Sequence, residues 1–511
     1  MNLFKGLTLS LSIFLSIFLF NTSFAQEGAS SRLEIEEIIV TGTKRDIGQQ
    51  DAAIAVSAIT EQAFANQNAN DPRAIASLVP NVTLTLQPAF NAVAGGIRGT
   101  GSISILVTED PSVAFLVDDF GLNHVQSQFI EMFDIEQIEV YRGPQGTLFG
   151  KNATGGVISV TTKKPVLDEW SGEFSAMAGQ YDWNEGSINK FKLALNAPII
   201  EGKVAMRVAA IWDKSQGFYT NSKPAGDFPG PIVLNPTAAW PDDGTSLSNV
   251  GDGGDLGGNG VLAAKVKFLF EPNASYSGHL IFEVSKDDSG APPTVNETEC
   301  PGGQLFCLLG FPGIQTPSPN WGGETWNNPY ATGESYHCNS VISICKGHRM
   351  DSKGIYFNQT FAIGDNFTLK SITGYRNHEE RNASTYTGEA FASLYDASRN
   401  TERDQMQQEF RLTSEYDGPF NFTAGLSYAE DNLNFAAYAA VGLQWFLGVP
   451  GWIHTDYSST ATHQNRTSKA YYFDFTYELN EAWRISAGIR ETEDEKQFVR
   501  ETGTLGNNAL G

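Results

Sequence analysis

Apolar and polar side chains alternate strictly in many segments after residue 165. Between 470 and 478 the apolar positions are Tyr471, Phe473, Phe475 and Tyr477, and Asp474 is one of the polar positions between them. Because successive side chains of a strand point to opposite faces, this period of two predicts β-strands with one apolar and one polar face. The pattern predicts eleven strands, near residues 172–179, 187–197, 203–213, 262–270, 276–285, 353–363, 366–377, 407–416, 420–429, 469–478 and 483–491.

The lengths of the connections distinguish two architectures for these strands. A soluble sandwich buries the apolar faces between two sheets, whereas a transmembrane barrel turns them to lipid and keeps the polar faces in its lumen. Alternate connections have five residues or fewer, at 198–202, 271–275, 364–365, 417–419 and 479–482. The others are long, at 214–261, 286–352, 378–406 and 430–468, and only 180–186 is brief. Short turns at one rim and long loops at the other favour an antiparallel transmembrane β-barrel.

The number of predicted strands indicates an incomplete barrel. Bacterial single-chain barrels close with an even number of strands, because an open edge in lipid leaves backbone groups unpaired. Plugged transporters of this type have about 22 strands. We therefore expect about half of a barrel, with an unclosed sheet.

Residues 46–165 have the different pattern of a compact α+β domain. A helix is predicted after Thr60, which is a suitable N-cap, and a second from Pro72, which suits the first helical position. Strands are predicted near 52–59, 82–86, 113–118, 135–141 and 157–162, with loops at 87–95, 101–110 and 120–129. No catalytic constellation occurs in this domain, so we expect no enzymatic activity and no cofactor.

Composition and the N-terminus restrict the compartment and the partners. The chain has 58 acidic and 34 basic residues, a net charge of −24, which argues against nucleic acid as a partner. Residues 1–25 have a basic start at Lys5, an apolar core and small residues before Gln26, as in a secretory signal peptide. After residue 25 no apolar run reaches the length of a spanning helix, so any contact with membrane lipid is expected to be made by strands.

A glycine-rich segment, Arg142–Pro165, carries a family resemblance. The run from Ile135 to Gly150, followed by Asn152 to Gly156, resembles the end of the plug domain of TonB-dependent outer-membrane receptors. Gly96-Ile97-Arg98-Gly99 and Val113–Asp119 are similar to further plug segments, although the family usually has Asp-Gly where this chain has Asp119-Phe120-Gly121. The order of these segments is that of the family. The resemblance implies an α+β plug domain inside the barrel, in the outer membrane of a Gram-negative bacterium.

This resemblance divides the chain into four parts. Residues 1–25 are the signal peptide, 26–45 a periplasmic extension, 46–165 the plug domain and 166–511 the N-terminal part of the barrel. The extension contains Ile38, Ile39, Val40 and Thr41, which resemble the TonB box offered to the TonB energy-transducing complex in the periplasm. Short β-forming runs are common, and the same residues are also compatible with a first strand of the plug.

The resemblance also implies contacts between plug and barrel, and contacts with an extracellular ligand. For the first we expect Arg98 and Arg142 to face the lumen carboxylates Glu409 and Glu415. For the second, the candidates are polar and aromatic residues of plug and barrel loops: Gln87, Phe90, Asn91, Trp240, Trp321, Trp326 and Tyr330. Nonspecific loop packing is the alternative for each ligand candidate.

The four cysteines lie in one long predicted loop. Pairing of neighbours, Cys300 with Cys307 and Cys338 with Cys345, is the simplest of three connectivities in an exported loop. His337 and His348 flank the second pair, but the spacing does not repeat as a tetrahedral site requires, so we expect no metal.

The resemblance implies active uptake of a scarce, large ligand through the outer membrane, energised by the TonB complex. Ferric siderophores are the family's commonest cargo, and cobalamin, haem and oligosaccharides are the alternatives. A passive porin or surface adhesin is a different class, which the plug-like residues 46–165 disfavour. A secreted β-rich enzyme or binding module is a further class, distinguished by its recovery in soluble fractions.

Overall fold

The structure is a computed structural model. It describes residues 39–40, 44–45, 47–50, 52–67, 71–87, 92–102, 106–128, 130–181, 186–216, 220–221, 258–289, 331–332, 347–385, 395–441, 456–480 and 482–505. The helices are α1 (Glu61–Ala65), α2 (Arg73–Leu78) and α3 (Gly146–Phe149). The strands are β1 (Ile39–Val40), β2 (Ile47–Gly48), β3 (Val56–Thr60), β4 (Val82–Gln87), β5 (Ala92–Ile97), β6 (Thr100–Ser102), β7 (Val113–Val117), β8 (Phe120–Leu122), β9 (Ile135–Arg142), β10 (Gly156–Thr162), β11 (Ser171–Gln180), β12 (Ser187–Ile200), β13 (Val204–Ser215), β14 (Thr220–Asn221), β15 (Gly260–Asn273), β16 (Tyr276–Asp287), β17 (Ala331–Thr332), β18 (Gly347–Ile363), β19 (Phe367–Thr385), β20 (Tyr395–Ser414), β21 (Phe420–Val441), β22 (Asp456–Asn480) and β23 (Trp483–Leu505).

The N-terminal domain, called the plug below, is built around a five-stranded sheet in the order β3-β9-β10-β7-β8. Strand β7 runs parallel to β10, and the other neighbours are antiparallel. Its core contains fully buried aliphatic side chains from strands and from α2, including Ile75, Ile138, Val140 and Ile158. The β-branched residues that predicted the strands therefore form the plug's interior.

The helix starts follow the capping pattern, with one difference. The hydroxyl of Thr60 accepts a hydrogen bond of 3.4 Å from the Ala63 backbone N–H, as an N-cap does. Pro72 occupies the N-cap of α2 rather than its first turn, and Asp71 accepts a hydrogen bond of 2.9 Å from the Arg73 N–H.

Two segments of the plug differ from the sequence-based expectation. The strand predicted from residue 52 begins only at Val56. The region predicted as a loop at 87–95 contains β5, which pairs with β4 and β6 in a three-stranded sheet. Its glycines do not interrupt pairing, because they allow the backbones to approach closely: a Cβ at Gly96 would lie 2.5 Å from the Thr100 carbonyl oxygen.

The second layer is an eleven-stranded antiparallel sheet, called the barrel sheet below, formed by β11–β13, β15, β16 and β18–β23 in chain order. All eleven predicted strands are confirmed, and several are longer, such as β22. Within the described residues β11 and β23 each have one partner strand, so the sheet is unclosed, as expected. Among the described residues no helix is long and apolar enough to cross a membrane.

The two faces of the barrel sheet differ as the alternation predicts. Apolar side chains on the outer face are exposed, with Phe473 at 38%, Ile485 at 48% and Ile489 at 72%. The inner face carries buried polar side chains and packs against the plug. Two inner-face residues, Ile281 and Tyr356, join the plug's hydrophobic core, and the rings of Tyr356 and Phe120 lie 4.8 Å apart. The plug therefore lies on the inner, polar face.

Candidate functional site

The tight turn between β7 and β8 brings one plug carboxylate to the barrel wall. Asp118 and Asp119 both have positive φ, 48° and 69°, a conformation that Asp adopts more readily than most residues. The Asp118 carboxylate accepts hydrogen bonds from the backbone N–H (2.9 Å) and hydroxyl (2.7 Å) of Thr162, which ties the turn to β10. The Asp119 carboxylate, on the other side, faces the barrel sheet.

Asp119 lies in a cluster of ion pairs. Lys370 of β19 donates to it at 2.5 Å, and Arg411 of β20 lies 3.6 Å away. Arg411 also pairs with Glu409 at 2.8 Å, and Glu409 accepts a hydrogen bond of 2.7 Å from the Tyr472 hydroxyl. Burial alone would raise the pKa of Asp119, but Lys370, Arg411 and Lys44 outweigh it and hold that pKa well below its ordinary value. The carboxylate is therefore ionised and bound from both domains.

Side-chain amides of the barrel fasten the backbone of the same turn. Gln407 accepts a hydrogen bond of 3.0 Å from the Gly121 N–H and donates one of 3.1 Å to the Asp119 carbonyl. Gln405 donates to the Gly121 carbonyl, and Asn358 donates to the Asp118 carbonyl at 2.9 Å. These bonds satisfy the polar backbone of a loop that is enclosed between two domains.

A second contact between plug and barrel centres on Asp134, just before β9. Its carboxylate pairs with Arg207 of β13 at 2.6 Å and with Lys267 of β15 at 2.8 Å, and its side chain is 2% exposed. Lys267 also donates to the Lys163 carbonyl at 2.8 Å. Burial would raise the pKa of Asp134, but the hydrogen bond from Arg207 and the charge of Lys267 lower it below its ordinary value.

A third contact lies farther along the strands, where residues 106–110 of the plug meet β20–β23. Arg403 donates to the Val107 carbonyl at 2.9 Å and pairs with Asp431 at 2.9 Å. Arg466 pairs with Asp110, and Lys496 donates to the Thr108 carbonyl at 2.5 Å. Three separated polar contacts therefore hold the plug against the barrel sheet.

Two cavities lie along this interface. The lower cavity, of about 760 Å³, is beside the short turns and is lined by residues such as His279, Thr413 and Asn421. The upper cavity, of about 90 Å³, is farther along the strands and is lined by residues such as Ala114 and Ser427. Within the described ranges no group of acidic, histidine or cysteine side chains is arranged to hold a metal ion.

The structure describes only part of the expected TonB box. Ile39 and Val40 form β1, which pairs with β2, and the Ile39 carbonyl accepts a hydrogen bond of 2.9 Å from Gln137. Val40 is fully buried, whereas Ile39 is 53% exposed. Ile38 and Thr41 lie outside the described residues.

The four residues expected to pair across the interface are not brought together. Glu409 bonds to Arg411 and Tyr472, and Glu415 accepts a hydrogen bond of 2.6 Å from Thr368. Arg98 is exposed, and the buried Nε of Arg142 has no hydrogen-bond partner in the part of the chain that is described.

Among the remaining candidates, Gln87 and His348 belong to the described residues. Gln87 ends β4 and pairs with Ala92 through the backbone. The remaining ligand candidates and all four cysteines lie outside the described residues: Phe90, Asn91, Trp240, Trp321, Trp326, Tyr330, Cys300, Cys307, Cys338 and Cys345. His337 lies outside them too, whereas His348 is in β18 and pairs with Asp287 at 3.1 Å and Glu380 at 3.3 Å.

Comparisons with known proteins agree with this architecture. Residues 48–157 match the family model described as TonB-dependent Receptor Plug Domain. An iron-regulated outer membrane virulence protein of Vibrio cholerae is 30% identical over 176 residues, which are 34% of this chain and 26% of that protein. A ferric enterobactin receptor of Pseudomonas aeruginosa is 27% identical over 227 residues, which are 40% of this chain and 30% of the relative. These matches thus cover about a quarter to a third of the relatives' lengths.

The solved structures extend the similarity to the barrel sheet. The ferric yersiniabactin uptake receptor of Yersinia pestis superimposes with a TM-score of 0.62 at 15% identity, over 89% of this chain and 58% of that one. At this identity the similarity is one of fold. It includes both the plug and the strands that follow it.

Proposed function

Because residues 48–157 are a TonB-dependent receptor plug domain and the strands after them have the fold of the barrels of such receptors, we propose that this protein takes up a ferric siderophore across the outer membrane. The observation that carries the proposal is the set of polar contacts that bind the plug to the barrel sheet. Ion pairs at Asp119 and Asp134 and the contacts of residues 106–110 fix the plug to the inner face of the barrel sheet. A lumen obstructed in this way transmits a large solute only if the plug moves.

Movement of a firmly seated plug needs an external source of energy. We assign the coupling to Ile38–Thr41, offered to the TonB complex as an edge strand. Support comes from Ile39 and Val40, which belong to a two-stranded sheet separate from the plug's main sheet. A short separate strand pair exchanges partners at lower free-energy cost than a strand inside the five-stranded sheet.

The cargo is proposed from the relatives and from the outer loops. The similar proteins are named for iron regulation, ferric enterobactin and ferric yersiniabactin. We assign ligand contacts to Gln87, Phe90, Asn91 and the loop aromatics Trp240, Trp321, Trp326 and Tyr330, because rigid aromatic side chains supply contact area at low entropic cost. The neighbouring disulfides Cys300–Cys307 and Cys338–Cys345 would restrict the same loop region.

Uptake by a deletion strain tests the proposal. The full-length gene is restored to a strain lacking it, and growth under iron limitation is measured together with uptake of labelled ferric chelates, haem, cobalamin and oligosaccharides. We expect restored uptake of one class of ferric chelate and recovery of the protein in the outer-membrane fraction. Equal uptake of iron chelates with and without the gene, or recovery in a soluble fraction, would contradict the proposal.

A further inference from the structure

We propose that Lys44 is a movable partition between the two cavities, and that its withdrawal joins them into one path along the barrel wall. This inference rests on the proposed function, since it names the residue whose movement begins the opening. Three residues line both cavities: Lys44, Asp119 and Phe149. They lie where the lower cavity ends and the upper one begins.

Contacts place the Lys44 side chain across this boundary. Its ammonium lies 3.5 Å from the Asp119 carboxylate and 4.1 Å from the centroid of the Phe149 ring, and the side chain is 6% exposed. Phe149, the last residue of α3, packs on Tyr141 with ring centroids 5.5 Å apart. Phe149 and Asp119 are thus fixed to the plug and the barrel, and Lys44 fills the space between them.

Among the three cations around Asp119 and Glu409, Lys44 is the one that is held least firmly. Three cations, Lys44, Lys370 and Arg411, surround two carboxylates, Asp119 and Glu409. Lys370 and Arg411 already bind Asp119 from the barrel. Burial, followed by the charge of Arg411, lowers the pKa of Lys44 to about 8 despite the nearby Asp119. The ammonium is therefore a surplus buried charge, and its return to water relieves a desolvation cost.

The chain around Lys44 links it to the proposed TonB box. Lys44 lies between β1 and β2, whose pairing consists of Ile39 with Gly48 and Val40 with Ile47. This pair forms a sheet separate from the five-stranded core. Traction on β1 therefore acts on the hydrogen bond between Gln137 and Ile39 and on the β1–β2 pair with Lys44, while Asp119 keeps its two barrel cations. A path can open in this way without unfolding the plug.

Thiol accessibility in the purified full-length protein tests the partition without ligand or TonB. A cysteine at Ala114→Cys lines the upper cavity, where Ala114 is 8% exposed. Its control, Thr161→Cys, lines the lower cavity on the neighbouring strand β10. The rate of modification of each site by a small charged methanethiosulfonate is measured by mass spectrometry of its own peptide. The change of this ratio between the Lys44 protein and its variants reports the part of the access to Ala114→Cys that Lys44 controls.

The Lys44 variants have opposite expected effects. Lys44→Ala removes the side chain that separates the two cavities. We expect the ratio of the Ala114→Cys rate to the Thr161→Cys rate to rise at least about tenfold, because labelling of a protected site follows the population of open molecules. Lys44→Met keeps an unbranched side chain without the surplus charge, and we expect a ratio no higher than with lysine. Phe149→Ala removes the other wall and is also expected to raise the ratio.

The outcomes separate the partition from the transport proposal. An unchanged ratio in Lys44→Ala overturns the partition, whether or not Phe149→Ala raises it. An Ala114→Cys site that reacts as fast as Thr161→Cys with Lys44 in place overturns it too. Because neither rate depends on a cargo, failure of iron uptake leaves these results unaffected.

Discussion

At the residue scale, the lowered pKa of Lys44 makes the partition depend on pH. The charged groups facing Lys44 are Asp119 from the plug and Lys370, Glu409 and Arg411 from the barrel sheet. In the closed position its pKa is about 8, against 10.5 for an ordinary lysine. Between these values the closed position binds fewer protons than the open one, so it becomes more favourable as the pH rises.

We therefore expect the labelling ratio of Ala114→Cys to Thr161→Cys to fall as the pH rises above about 8, because Lys44 in the closed position then loses its surplus charge. The ratio removes the part of the faster thiol reaction at higher pH that the two sites share. The matched control is Lys44→Met, which has no titrating group and should show a constant ratio. A ratio that rises with pH in the Lys44 protein would contradict the assignment.

Asp134 gives a residue-scale prediction about stability. Asp134→Asn leaves Arg207 and Lys267 buried without their carboxylate, and we expect plug docking to lose about 3–5 kcal/mol. The pKa of Asp134 is held below its ordinary value. Its contribution is therefore complete at neutral pH and is lost only as the pH falls through that lowered pKa. The measurement is the urea concentration at which the Ala114→Cys thiol of the full-length protein becomes reactive.

The control for this measurement is another Asp that pairs on the plug surface. Asp71 lies 2.7 Å from Arg73, whose side chain is 47% exposed. Asp71→Asn should therefore change stability by only about 0–1 kcal/mol. Equal urea midpoints for the two variants would show that the Asp134 contact does not hold the plug.

Individual contacts of the interface were only partly predictable. Glu409 was expected to be a lumen carboxylate that meets the plug, but its partners Arg411 and Tyr472 belong to the barrel sheet. The partner of Arg207 was not predicted, because Asp134 precedes a strand and has no pattern of its own. Pairing between domains depends on how the plug is oriented, and one sequence carries no signal for that.

At the element scale, glycines set how closely two parts of the plug approach. A Cβ on Gly155 would lie 2.5 Å from the Thr100 carbonyl oxygen, whereas one on Gly146 would have no atom within 4 Å. We expect Gly155→Ala to destabilise the plug by roughly 1–3 kcal/mol, because the β5–β6 hairpin must shift. Gly146→Ala, at the start of α3, should be neutral or stabilising by about 0.5–1 kcal/mol. Urea titration of the same plug thiol compares them, and equal losses would contradict the close approach.

Elements with a strong period were predictable, and glycine-rich ones were not. The eleven strands of the barrel sheet follow the alternation, because alternate residues of each strand face different surroundings on the two sides of the sheet. Strand β5, Ala92–Ile97, has no such alternation and was read as a loop. Its pairing is decided by the backbones of β4 and β6, and this information is not local.

At the scale of the whole molecule, the relevant feature is how the plug and the barrel sheet meet at the rim that carries the short turns. The short turns of the sheet lie at one rim, beside the lower cavity and the strand pair β1–β2. Three groups of polar contacts hold the plug, and the lower cavity lies at this rim. The arrangement fits a device that is closed at rest and is opened from the side of its short turns.

Energised uptake tests this most directly. Cells with the full-length protein are given a labelled ferric chelate, and binding and internalisation are measured with and without a protonophore, beside a variant lacking Ile38–Thr41. We predict that the protonophore and the deletion each abolish internalisation and leave surface binding intact. Internalisation that continues at the same rate under both conditions would contradict a plug opened from the periplasm.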